Sequence, residues 1–130
     1  MVQSSQASRV KLALFEYDFA VDGGVAGAII KNPDGLPANS IIWDGMILIH
    51  TAIVGTTSTL AISVVGANDM LTATAEASLT VGLLMDVVPD GTAAAAVQVG
   101  AANAGCTFTI GTNDLTAGRV MVALRYFDLY

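Results

Sequence analysis

Charge is scarce in this chain. Asp, Glu, Lys and Arg make up 12% of its 130 residues, about half of the roughly 25% usual in soluble domains. The scarcity falls mainly on one sign, since five Lys and Arg face eleven Asp and Glu for a formal charge of −6. None of the five basic residues lies between Lys31 and Arg119. That stretch holds Asp34, Asp44, Asp69, Glu76, Asp86, Asp90 and Asp114. A nucleic-acid binder needs a basic stripe to replace phosphate counterions, so nucleic acid is excluded as a partner. Attraction to an anionic membrane surface is excluded for the same reason. The acidity itself serves solubility.

Reactive side chains are equally sparse. The single cysteine, Cys106, excludes an intrachain disulfide; within the alternating run CTFTI it reads as a small buried residue rather than a reactive thiol. The single histidine, His50, is the one residue on which a Ser-His-Asp or Cys-His arrangement could be built. At the end of an apolar strand it reads as a satisfied structural histidine, with Leu48 on its side and Ile49 on the other. Cys106 and His50 together are too few for structural zinc. No apolar run approaches the 18 or so residues needed to cross a bilayer as a helix. MVQSSQASRVKLAL has no apolar segment of signal-peptide length before polar residues return.

What is present is apolar. Hydrophobic residues are 54% of the chain, and the mean hydropathy is +0.66. Such a composition can offset its ordering entropy, which excludes disorder. A chain of this length buries about two-thirds of its unfolded surface, enough for one core in one domain. We expect a flexible N-terminal arm at residues 1–8 and a single domain at 9–130.

The pattern within that domain is one of strands. Val10, Leu12 and Leu14 alternate with Lys11, Ala13, Phe15 and Tyr17, a two-residue period. DGG at 22–24 breaks the run, VAGAII at 25–30 is a second strand, and KNPDGLPANS at 31–40 reads as a loop. IIWDGMILIHT at 41–51 is a strand in which Asp44–Gly45 marks a bulge. TLAISVVG at 59–66 follows, and ANDMLTATAEAS at 67–78 admits one helical turn capped by Asn68 or Asp69. Strands are expected at 79–88, 93–100 and 106–111, and a loop at 112–118. The longest strand is RVMVALRYFDL at 119–129, with Val120, Val122, Leu124 and Tyr126 on one face. About eight strands with turn signals every 8–15 residues, and no sustained helical period, predict an all-β fold. The expected form is a two-sheet antiparallel β-sandwich, jelly-roll-like.

Candidate chemistry is thin. Glu16 and Glu76 are the sole glutamates, and aspartates such as Asp22, Asp34 and Asp90 sit in turn signals, so a glycosidase-type carboxylate pair is not indicated. The best calcium candidates are Asp86 with Asp90, or Asp18 with Asp22, but neither pair has the spacing of a known calcium loop. Gly23, Gly24 and Gly27 do not form a dinucleotide fingerprint, because Asp22 takes the first glycine position and a β-type run follows. No catalytic residue, metal or cofactor is predicted. Trp43, Tyr126, Phe127 and Tyr130 are candidate anchors of an oligomer or partner interface; as stacking platforms they also fit a carbohydrate-binding module. A hydrolase built on a sandwich is the least favoured class.

The surface is the informative part. Outward positions of a solvated antiparallel sheet usually carry Lys, Glu, Arg or Thr. Here they read as Ala, Thr, Ser, Val and Gly, and TLAISVVG, read as an edge strand, has no Lys to block pairing. Neighbours covering these faces would resolve the liability, which predicts a homo-oligomer, expected to be a trimer.

LALFEYDFAVDGGVAGAI, LPANSIIWDGMILIHT, NDMLTATAEAS and DLTAGRVMVALRYF together resemble small virion structural proteins of tailed bacteriophages, of the capsid decoration or cement type. The resemblance implies a strand-rich, often jelly-roll fold, a trimer on the capsid surface, and the major capsid protein as partner. It carries no catalytic residues. The polar arm is then expected to order on a neighbouring subunit. A head-fibre or tail-associated carbohydrate- or receptor-binding module is the alternative reading.

Overall fold

The two-residue alternation becomes antiparallel pairing in both layers of the molecule. The structure, a computed structural model, describes residues 10–66, 69–87 and 97–127. The elements in order are β1 (Val10–Asp18), a single helical turn α1 (Phe19–Asp22), β2 (Gly27–Leu36), β3 (Ile41–Gly55), β4 (Thr59–Ser63) and β5 (Leu71–Ala75). A 3-10 turn (Glu76–Ser78) leads to β6 (Leu84–Val87), β7 (Val97–Gln98), β8 (Ala104–Gly111) and β9 (Leu115–Phe127). The arm expected at residues 1–8 lies outside the described residues.

One sheet runs β1-β9-β3-β6, with the two-residue β7 also on β3; the other runs β2-β8-β4-β5. Leaving β7 aside, the strands pair β1 with β9, β2 with β8, β3 with β6 and β4 with β5. Four such pairs, with successive strands changing sheet except at the β4-β5 hairpin and β7 left aside, make the jelly roll. The expected fold class is therefore met.

The core lies between the sheets. Ala13, Phe15 and Tyr17 of β1, Ile47 and Ile49 of β3, and Val120, Val122, Leu124 and Tyr126 of β9 are all buried. They meet Leu60 and Ile62 of β4 and Cys106, Phe108 and Ile110 of β8 in one cluster. Tyr17 packs on Phe108 with ring centroids 6.0 Å apart, and its hydroxyl donates to the Gly23 carbonyl at 2.6 Å. Burial, with Asp22 and Asp18 nearby, pushes the Tyr17 phenol up to about 12.

Several boundaries differ from the sequence reading, each because pairing overrides local signals. The segment 31–40, expected as a loop, is strand as far as Leu36. The register jumps from Lys31↔Cys106 to Leu36↔Ala104, so Asn32 to Gly35 form a bulge opposite Gly105. β2 is an edge strand, where Pro33 forfeits no ladder bond on the free side. TLAISVVG is not an edge strand, because β4 lies between β8 and β5; it ends at Ser63, where Val64, Val65 and Gly66 wrap the Asp69 carboxylate. Asp69 thus caps a loop rather than a helix. The residues after it form β5, followed by one 3-10 turn at Glu76–Ser78. The loop expected at 112–118 is strand from Leu115, which pairs with Gly55.

Candidate interaction surface

Alternation on the β1-β9-β3-β6 sheet sends one set of side chains into the core and the other outward. The outward set is apolar. Leu12 and Leu14 of β1 are each 58% exposed, Met46 of β3 47% and Leu84 of β6 60%. Cross-strand register arranges them in rows. Leu14 lies opposite Ala123, which lies opposite Met46. In the next row Glu16, Met121, Leu48 and Leu84 run across all four strands. A shallow groove of about 210 Å³ is lined by Leu14, Met46, Leu48, Leu84, Met121, Val122 and Ala123. Beside it a second hollow, of about 350 Å³, is lined by Leu12, Asp44, Gly45, Met46, Ala123 and Arg125.

An ion pair stands at each of two ends of this face, and Asp86 of β6 takes the register position opposite Met46. At one end Arg119 of β9 pairs with Glu16 of β1 at 2.8 Å. At the other, Arg125 of β9 holds Asp44 of β3 through both its Nε and Nη2. The hydrogen bonds from Arg125 hold the Asp44 carboxyl below the ordinary aspartate range, and the two carboxylates raise their arginines further.

The bulge expected at Asp44–Gly45 is present. The register passes from Ile42↔Tyr126 to Asp44↔Arg125, leaving Trp43 as the extra residue. Gly45 is required here because a Cβ would stand 2.3 Å from the Ala123 carbonyl oxygen. The bulge turns Trp43 outward, 43% exposed. Its ring packs on Phe127 at 5.3 Å between centroids, and the Arg125 guanidinium lies 5.1 Å from its centroid. Trp, Arg and a supporting aromatic are the residue types that carry most interface energy.

Of the four expected anchors, Trp43 and Phe127 thus come together. Tyr126 is 8% exposed and belongs to the core, because its position on β9 has the parity of Val120, Val122 and Leu124. Tyr130 lies outside the described residues. Sequence reasoning missed Leu12, Leu14, Met46, Leu48, Leu84 and Met121; the available signal was that both sides of LALF are apolar.

The remaining candidates have structural roles or none. His50 is exposed on the outer face with one long contact, 3.4 Å from Nδ1 to the Thr51 hydroxyl. The expected structural histidine is therefore a surface residue, because its outward parity with Leu48 takes it away from the core. Cys106 is a free, buried thiol; burial, with the Asp69 charge, pushes it up to about 12. Asp18 accepts from the Ala20 N–H at 3.0 Å as the cap of α1. Asp22 accepts from the Asp18 N–H at 3.0 Å and pairs with Lys31 at 2.6 Å, so both carboxylates serve the turn. Burial works against the charge on Asp22, but the Lys31 and Asp18 hydrogen bonds prevail and lower its pKa. Glu76 accepts from the Ser58 N–H at 3.2 Å, far from Glu16 and its arginine. Asp90 lies outside the described residues. Gly23, at φ +76°, ends α1, and Gly24 bonds the Leu115 N–H through its carbonyl at 2.7 Å, a turn between strands. Among the described residues no three His, Cys, Asp or Glu side chains gather as a metal site, and no helix is long and apolar enough to cross a membrane.

The two-sheet jelly roll is an architecture of viral capsid, lectin and cupin domains. No protein-family model matches the chain, and no curated protein matches it in sequence. Solved structures do match in fold. A chain of the cyanophage Pam1 capsid asymmetric unit is similar at TM-score 0.65 and 18% identity, over 92% of this chain and 85% of that one. A chain of the Ralstonia phage GP4 capsid reaches TM-score 0.67 at 14% identity, over 92% and 84%. One from the acid-stable capsid of Helicobacter pylori bacteriophage KHP30 reaches 0.60 at 11% identity, over 93% and 89%. The resemblance to phage virion structural proteins therefore holds at the level of the fold.

Proposed function

We propose that this chain is a non-enzymatic virion structural protein of the capsid decoration type. It binds the lattice of a phage major capsid protein as a homotrimer on the outer surface of the head and stabilises the shell. The observation that carries the reading is the outer face of the β1-β9-β3-β6 sheet. Four of its large apolar side chains stand between 47% and 60% exposed. Each such leucine would gain roughly 1–2 kcal/mol from being covered, a little over half of its full burial energy. The fold it shares with chains from three phage capsids supports the same reading.

A glycan- or receptor-binding role has less support. Its one exposed tryptophan, Trp43, already has Arg125 and Phe127 against its ring, which leaves less free face for a sugar. The test is to add purified chain to capsids that lack it. Saturable attachment in a fixed ratio to the major capsid protein, with shells that resist heat better, is the expected result. Absence of the chain from purified virions, together with no attachment, overturns the proposal.

A further inference from the structure

We propose that Met46 is a peroxide-sensitive site whose conversion to the sulfoxide turns the middle of the β1-β9-β3-β6 outer face polar and blocks attachment through it. This deepens the assembly reading above, on which its consequence rests, by naming what switches that face off. Parity is the first argument. Ile47 and Ile49 are buried, so the alternation along β3 sends Met46 outward, 47% exposed. The other described methionines are better covered. Met70 is 4% exposed, Met85 packs half-buried against the core, and Met121 is half-buried on β9. Opposite Met46 on β9 stands Ala123, whose single methyl group is too short to cover the thioether.

Place is the second argument. Met46 and Ala123 are the residues common to the walls of the two hollows on this face. Of the two, Met46 carries the oxidisable atom, so one modification alters both hollows. Hydrogen peroxide supplies the oxygen. The thioether sulfur attacks one peroxide oxygen, the O–O bond breaks, and the departing hydroxide takes the proton from the new S–OH group to leave as water. Sulfur is thereby oxidised by two electrons and peroxide reduced by two; methionine sulfoxide reductases reverse the change. The sulfoxide oxygen is an acceptor set in the smaller hollow among apolar side chains alone. Arg125, the one donor side chain in the wall of the larger hollow, is already held by Asp44. Covering that oxygen without a donor should weaken attachment at least about tenfold.

Dilute hydrogen peroxide on the purified chain tests this, read by peptide mass spectrometry and by the fluorescence of bis-ANS bound to the apolar face. Met46 is expected to convert at least about tenfold faster than Met70. Dye fluorescence falls as the sulfoxide accumulates, circular dichroism stays unchanged, and methionine sulfoxide reductases restore the signal. Met46→Leu, close in volume, keeps the signal under the same peroxide, whereas Met121→Leu does not protect it. Conversion of Met46 no faster than Met70, a signal indifferent to that conversion, or an equal loss in Met46→Leu overturns the inference. So does a native chain that binds no dye. Attachment to capsids separates the two readings. A chain oxidised at Met46 that attaches as well as the unmodified one overturns this inference alone. An unmodified chain that does not attach, with the dye results as expected, overturns the decoration reading alone.

Discussion

Removing the Asp69 carboxylate should weaken the fold by an amount that depends on which N–H groups can find water. Asp69 is 6% exposed. One oxygen accepts from the Val64 N–H at 2.8 Å; the other accepts from Val65 at 2.9 Å and Gly66 at 2.8 Å. Hydrogen bonds to a charged group contribute about 1.5–3 kcal/mol each, less where water can replace the lost partner. Val65 and Gly66 are exposed and can be rehydrated, while Val64 is half-buried. Asp69→Ala should therefore cost about 2–4 kcal/mol, most of it from Val64. Asp69→Asn keeps one oxygen for Val65 and Gly66 but turns an amide toward the Val64 N–H, for a cost of about 1–2 kcal/mol. Urea unfolding at fixed protein concentration reads both, since assembly would make the midpoint concentration-dependent. With a slope of about 1.5 kcal/mol/M, the alanine midpoint falls by roughly 2 M. An alanine variant within about 0.5 kcal/mol of wild type, or an asparagine variant weaker than alanine, refutes the reasoning.

Two further outcomes follow from the turn after β1. Gly24→Ala places a Cβ 2.2 Å from the Leu115 carbonyl oxygen. It should cost about 1–3 kcal/mol in thermal unfolding, as overpacking against rigid backbone does; an unchanged melting temperature contradicts the close approach of the turn to β9. Asp22 has a lowered folded pKa, so its contribution is present above its unfolded pKa of about 4 and is lost as pH falls through the folded value. Between about pH 5 and 2, wild type should therefore lose more stability than Asp22→Asn, and parallel acid titrations of the two proteins would count against the Lys31 pair.

Much of the architecture was legible because its signals are local. The alternation in VKLALFEYD and RVMVALRYF, the Asp44–Gly45 bulge and the buried Cys106 each require only a few neighbouring residues. Boundaries set by a distant partner were not legible. β2 continues through Pro33 only because its free edge needs no donor there, and β9 starts early because Leu115 finds Gly55. The interaction surface was legible as a deficit of charge but not as a place. Alternation separates Leu12 and Leu14 from Phe15 and Tyr17, yet both sets are apolar, and only the second sheet decides which is covered. Tyr126 shows the same limit: its aromatic ring suggested an interface, but its parity with Val120, Val122 and Leu124 puts it inside.

Methionine oxidation inside intact virions tests the central claim most directly. Met46 is 47% exposed on the outer face, Met121 is half-buried beside it, and Met70 is 4% exposed in the core. If the face is covered in the particle, Met46 and Met121 convert to sulfoxide as slowly as Met70 under dilute peroxide, and all three react far more slowly than in the unfolded chain. Rapid oxidation of Met46 in virions that retain the protein, with Met70 still protected, would mean that the face stays open to solvent and that assembly uses another surface.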